Sequence, residues 1–386
     1  MRITRLEPVL LSAKPTEEIR WSGGTLPIIH ASIVQVHTDE GITGLGETYV
    51  GIFAPLAVKG IIEALEPLVV GEDPMQPLAV YQKLYSKNLF WARNGAGLSV
   101  IGAIEMALWD IKGKALGLPV HSLLGGAVHE KLPIYASGGL EKPIDQLLDE
   151  MRRYKDEGFT AIKARIGMGA AKDVSKIQRV REVLGPDINL MVDAVQGHNP
   201  QPWSAAEAIQ VGHELTDLNI RWLEEPCAAT DYAGYAQVRA KLPIPIAGGE
   251  SSASIHEFRN FFQAGALDIA QPDAAHAGGI EECRKIAALA QSHGAEIAFH
   301  SWSSSIVLAA NYHLAFCTPN CHFLEFPTWG YPLRDELFTR PLRFESGYAY
   351  PPDAPGLGVT LDEELRRKYA FASENAAGAV MQRAGV

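Results

Sequence analysis

INLMVDA at 188–194, IRWLEEP at 220–226 and PIPIAGGE at 243–250 are three short apolar runs, each ending in carboxylates. Their β-branched and aliphatic content, closed by turn residues, reads as buried parallel strands. Asp193, Glu224, Glu225 and Glu250 fall where strand gives way to loop. Asp193 and Glu224 are 31 residues apart, and Glu224 and Glu250 are 26 apart. That interval holds one strand, one helix and two loops, so equivalent positions on successive strands converge at one end of a sheet. Three converging carboxylates repel one another unless a cation sits among them, and all-oxygen ligation points to Mg²⁺ or a similarly hard ion.

The same alternation extends outward. Further strands are expected at Leu132–Ser137, Ala161–Ile166, Leu267–Asp273, Glu296–Ser301 and Phe323–Phe326, with helical patterns such as Ala205–Leu215 and Ile280–His293 between strands. Eight strands with intervening helices fit a closed parallel barrel, an α/β fold. An open doubly wound sheet is the alternative, but Ser137-Gly138-Gly139 is a poor phosphate loop. Residues from about Ile3 to Glu47 read as a three-stranded antiparallel meander. Within it Lys14–Pro27 is too polar and Gly-rich for core and is expected to be a mobile loop. Helices are expected at Pro55–Leu68, Pro74–Lys87 and Leu98–Leu116, the last with Val100, Ile104, Leu108 and Ile111 on one face. The Pro- and Gly-rich end is expected to return to the N-terminal part.

With 386 residues, 47% of them hydrophobic, the chain can bury a large core. A net charge of −11 without a basic cluster argues against a nucleic-acid partner. The start, MRITRLEPVLLS, lacks the apolar core of a signal peptide, and no apolar run is long enough for a membrane span. Cys227, Cys283, Cys317 and Cys321 have no zinc-type spacing and read as reduced thiols of a cytoplasmic protein.

Taken in order, the strand ends present Lys163 and Arg165, then Asp193, Glu224, Glu250, Asp273, His300 and Glu325. One polar residue per strand–helix unit, always at the C-terminal end, is where barrel enzymes keep catalytic groups. A proton beside a carboxylate is very weakly acidic, because its loss places a second negative charge on the acid. A cation at the carboxylate offsets that charge. A histidine titrates in the right range for a base, and a neighbouring carboxylate can fix its tautomer.

Several motifs together resemble the enolase superfamily, and within it the mandelate racemase subgroup. They are MALWDIKGKALGLPVHSLLGG at 106–126, IKARIG at 162–167, MVDA at 191–194, WLEEP at 222–226, AGGE at 247–250, QPDAAHAGG at 271–279, FHSW at 299–302 and PGLGV at 355–359. The resemblance implies an α+β capping domain over residues 1–126, a modified (β/α)7β TIM barrel over 127–330, and a tail, 331–386, returning to the cap. It implies Asp193, Glu224 and Glu250 as Mg²⁺ ligands and Glu225 as a carboxylate behind them. Lys163, Arg165, Asp273, His300 and Glu325 then form the catalytic set, with Glu325 donating to the substrate carboxylate. Two cap segments near Lys14–Pro27 and Thr48–Pro55 would set specificity, placing Trp21, His30 and Tyr49 against substrate, with His276 and Trp302 from the barrel.

The chain departs from the subgroup pattern in three places. Lys163-Ala164-Arg165 replaces the usual Lys-x-Lys, and arginine is a poor proton acceptor. Val195 stands where Asn is common, so that polar contact is lost or moves to Gln196 or His198. His276 stands where mandelate racemase has a lysine. One competent base favours dehydration of a sugar acid to a 2-keto-3-deoxy acid, through an enediolate. Racemisation or epimerisation, and cycloisomerisation, are the alternatives, with a non-catalytic metal-binding scaffold more remote. The expected partner is a small carboxylate substrate, and the expected assembly a homo-oligomer.

Overall fold

The computed structural model describes residues 1–22 and 24–372, so the end of the expected tail, 373–386, lies outside the described residues. The N-terminal sheet has the order β1–β4–β5: β1 (Ile3–Ala13) pairs antiparallel with β4 (Ile29–Thr38), and β4 with β5 (Thr43–Thr48). The segment expected to be a mobile loop holds secondary structure. It folds as a small hairpin of β2 (Ile19–Trp21) and β3 (Gly24–Leu26), with Ile19, Trp21 and Leu26 buried. Those three apolar side chains outweigh the polar residues around them, because they fold down onto the rest of the molecule.

Three helices follow, α1 (Pro55–Val69), α2 (Pro77–Lys87) and α3 (Gly95–Leu116). α3 is buried on nearly every side from Gly97 to Ile111, not on one face only. It lies between the cap sheet and the barrel, and small residues permit both approaches. A Cβ on Gly46 of β5 would overlap the Ala103 carbonyl, and one on Gly102 of α3 would overlap Gly279. Glu105 then accepts hydrogen bonds from the backbone N–H of Ile280 (2.8 Å) and Glu281 (3.2 Å), and from the Trp109 indole (2.6 Å). The cap is thereby bolted to the segment that follows Asp273.

The barrel strands are β6 (Leu132–Ser137), β7 (Ala161–Arg165), β8 (Asn189–Asp193), β9 (Ile220–Glu224), β10 (Ile246–Gly248), β11 (Ile269–Ala270), β12 (Glu296–Ile297) and β13 (Leu324–Pro327). Each of β6 to β12 pairs in parallel with the next, and β13 pairs in parallel with β6. The expectation of a closed barrel needs one correction. No ladder joins β12 to β13; a single bridge, Ile297 to Cys321, stands there. Side chains take over the backbone groups beyond β12. The Ser301 N–H donates to Glu325 (2.8 Å), and the Asn311 amide donates to the His300 carbonyl (2.7 Å). The ladder gives way where the strand end becomes part of a polar site.

After the barrel, β14 (Phe344–Glu345) and β15 (Tyr348–Ala349) form a hairpin, and β15 pairs antiparallel with β6. Farther on, the Leu357 N–H donates to Asp110, Arg366 pairs with Glu7 at 3.0 Å, and the Ser12 N–H donates to the Tyr369 carbonyl. The four cysteines are free thiols. Among the described residues, no helix is long and apolar enough to cross a membrane.

Candidate active site

Parallel register brings the strand-end groups together. Arg165 lies opposite Asp193, and Asp193 opposite Glu224. Gly249, at φ 110°, turns the chain so that Glu250 reaches the same place. Asp193, Glu224 and Glu250 each offer an oxygen within 4.8 Å of the others. Burial, then the neighbouring Glu224 charge, pushes the Asp193 carboxyl up to about 7, against the pull of Lys163 and Arg165.

Lys163 is fully buried and does not line the cavity. Its Nζ is 2.6 Å from Glu224, 2.9 Å from Glu325 and 3.6 Å from Asp193. Burial works against its charge, but these three anions raise its pKa. Glu325, expected to donate a proton to substrate, has a different setting. Burial would raise its pKa, but Lys163, His300 and a 2.6 Å hydrogen bond from Ser137 bring it down to about 2. These partners favour its charged form, and it is not among the residues lining the cavity.

His300 Nδ1 lies 2.8 Å from Asp273 Oδ2, and Nε2 lies 3.6 Å from Glu250. Asp273 is itself held: its Oδ1 accepts from the Ala275 N–H (2.9 Å) and the Asn311 amide (3.1 Å). Burial pulls the His300 pKa down, but the Glu250 charge and the Asp273 hydrogen bond carry it up to about 10. Asn311 was not anticipated. Its one sequence signal is being the lone amide in the apolar helix SIVLAANYHLAF.

A cavity of about 230 Å³ opens above these groups. Arg165, Asp193, Val195, His198, Glu250, His276, His300 and Trp302 line it from the barrel; Trp21, Tyr49 and Phe53 are among the residues lining it from the cap. Arg165 donates to the Gly138 carbonyl at 2.8 Å, and its Nε is 3.5 Å from Asp193. Tyr49 packs edge-on against His300, with ring centres 5.6 Å apart. His276 bonds the Ser251 carbonyl at 3.1 Å, and Trp302 packs on Trp329. His30 is not among the lining residues; it pairs with Ser12 at 2.7 Å inside the cap.

Glu225 is buried, and neither carboxylate oxygen has a hydrogen-bond partner. Burial and the charges of Glu250, Asp193 and Glu224 raise its pKa well above the usual range. Val195 adopts φ 51°, a left-handed conformation that a β-branched side chain rarely takes. Gln196 turns inward, accepting from the Trp203 N–H, whereas His198 lines the cavity 3.8 Å from Glu225. Ser303 and Ser304 both donate to Glu47 of the cap.

Residues 8–125 match the mandelate racemase/muconate lactonizing enzyme N-terminal domain, and residues 146–365 match the enolase C-terminal domain-like family. The chain belongs to the mandelate racemase subgroup of the enolase superfamily. Among its relatives in the subgroup, the D-galactarolactone cycloisomerase of Agrobacterium fabrum is 35% identical over 87% of this chain and 90% of that one. The D-galactonate dehydratase of Verminephrobacter eiseniae is 35% identical over 86% and 89%. A racemase from Streptomyces coelicolor, solved with bound magnesium, superposes with a TM-score of 0.86 at 29% identity, covering 96% of this chain and all of that one. Superfamily membership implies a divalent metal. The acidic group fits one, since three carboxylates this close and this buried repel one another and push Asp193 toward protonation.

Proposed function

We propose that the protein removes the proton α to a substrate carboxylate and expels the hydroxyl from the next carbon, converting a sugar acid to a 2-keto-3-deoxy acid. The observation that carries this reading is the Asp273–His300 pair at 2.8 Å, whose imidazole stands in the cavity wall beside the acidic group. Asp273 keeps a proton on Nδ1, so Nε2 is the acceptor. A cation held by Glu250 would offset the charge that most favours a second proton on His300, which would leave Nε2 as the acceptor. The same nitrogen then returns its proton to the departing hydroxyl, so that water leaves from one face.

Asp193, Glu224 and Glu250 would hold Mg²⁺, which supplies positive charge where the substrate carboxylate gains its second negative charge. Lys163, 2.6 Å from Glu224 and 3.6 Å from Asp193, holds those carboxylates in place and opposes the rise of the Asp193 pKa. Arg165 binds the substrate carboxylate and, staying charged, offers no base on the opposite face. Two-base racemisation is disfavoured on that ground. Ring-opening cycloisomerisation uses the same single base, with a ring oxygen leaving in place of hydroxide, and the apolar cap side of the cavity supports it as a second reading. Incubating the Mg²⁺-loaded protein with a library of acid sugars and acid-sugar lactones, and assaying 2-keto-3-deoxy acid, tests the proposal. Dehydration predicts product from open-chain acids; product from the closed rings alone selects the second reading.

A further inference from the structure

The cavity wall divides by chemistry. Every charged group lining it comes from the barrel, whereas the cap contributes Trp21, Leu26, Tyr49, Val50 and Phe53. Among the described residues lining that side, Tyr49 carries the one hydroxyl group. The Trp21 indole nitrogen is buried and has no hydrogen-bond partner among the described residues. Val195, also apolar, extends this surface toward the barrel.

From this division we infer that the substrate meets the cap with an end poor in hydroxyl groups, either deoxygenated or closed into a ring. The inference rests on the proposed function, in which the carboxylate is held at the acidic barrel end. The remainder of the molecule then extends toward the cap. A free hydroxyl placed against Leu26, Val50 or Phe53 exchanges its bonds to water for none, which disfavours binding. A methyl group or the C–H face of a ring gains contact there instead, and an aromatic wall suits such a face.

A matched pair isolates the effect: D-galactonate and its 6-deoxy counterpart, which differ by one distal hydroxyl. Their dissociation constants are measured calorimetrically with Mg²⁺-loaded His300→Asn protein, which on the proposed mechanism binds without turnover. The 6-deoxy acid is expected to bind at least about five-fold more tightly. Phe53→Gln, introduced into the same protein at a partly exposed position, is expected to bring that ratio toward one. Equal or tighter binding of D-galactonate, or no binding of the 6-deoxy acid, overturns the inference. Release of α-deuterium by the native protein reports separately on the proposed reaction, so the two can fail independently.

Discussion

The barrel half of the cavity carries Arg165, Asp193, His198, Glu250, His276 and His300, whereas the cap half carries Trp21, Leu26, Tyr49, Val50 and Phe53. The two halves are also built differently. Barrel groups are fixed by strand register and by buried partners, as Asn311 fixes Asp273 and Lys163 fixes Glu224. Cap groups ride on a short hairpin and on the segment after β5, held by apolar packing. On the proposed function, reaction chemistry and substrate fit can therefore change separately, and each half should have its own signature when perturbed.

The largest effect belongs to the barrel. Glu250→Gln leaves two of the three carboxylates and should lower turnover on the order of 10³-fold, the scale of losing a group that stabilises developing charge. Calorimetric Mg²⁺ titration should show weakened binding, with the far-ultraviolet circular dichroism unchanged. A fully active variant would break the assignment of that half.

Glu47 crosses the boundary, binding Ser303 and Ser304 from the cap side. Burial raises its carboxyl from 4.5 to about 7. A folded-state pKa above the unfolded one gives a contribution to stability that is complete below 4.5 and is lost as pH rises through about 7. Glu47→Gln removes that dependence. Relative to the variant, the native protein should lose roughly 3 kcal/mol across this window, measured as urea midpoints at several pH values.

Arg165→Lys keeps the charge but loses the planar fork. It should raise KM about ten-fold, or ~1.4 kcal/mol, with kcat less affected. The smallest change is expected at Val195. Its φ of 51° suits asparagine better, so Val195→Asn should raise stability by about 1 kcal/mol. It should also make the wall between the halves more polar, lowering KM for hydroxyl-rich acids.

The barrel half was largely legible in the sequence because period and register are local. A strand ending in a polar group every 23 to 31 residues can converge in few ways. Legibility stopped where a side chain's role depends on distant partners. Lys163 and Ser137 enclose Glu325 and favour its charged form, and no spacing reveals that. His30 sits in an apolar strand like a ligand but turns to Ser12. The 14–27 segment reads as loop because its buried residues, Ile19, Trp21 and Leu26, are too sparse to make a periodic pattern. Barrel closure failed as an expectation for a related reason, since Asn311 and Glu325 claim backbone groups that a ladder would have used.

The central claim is that His300 takes the α-proton. The direct test is release of deuterium from the α-carbon of a labelled acid that the native protein turns over, with Mg²⁺ present. The account predicts that His300→Asn releases label at least about 10²-fold more slowly while still binding Mg²⁺ and the acid. Release at the native rate by that variant would contradict it and place the base elsewhere.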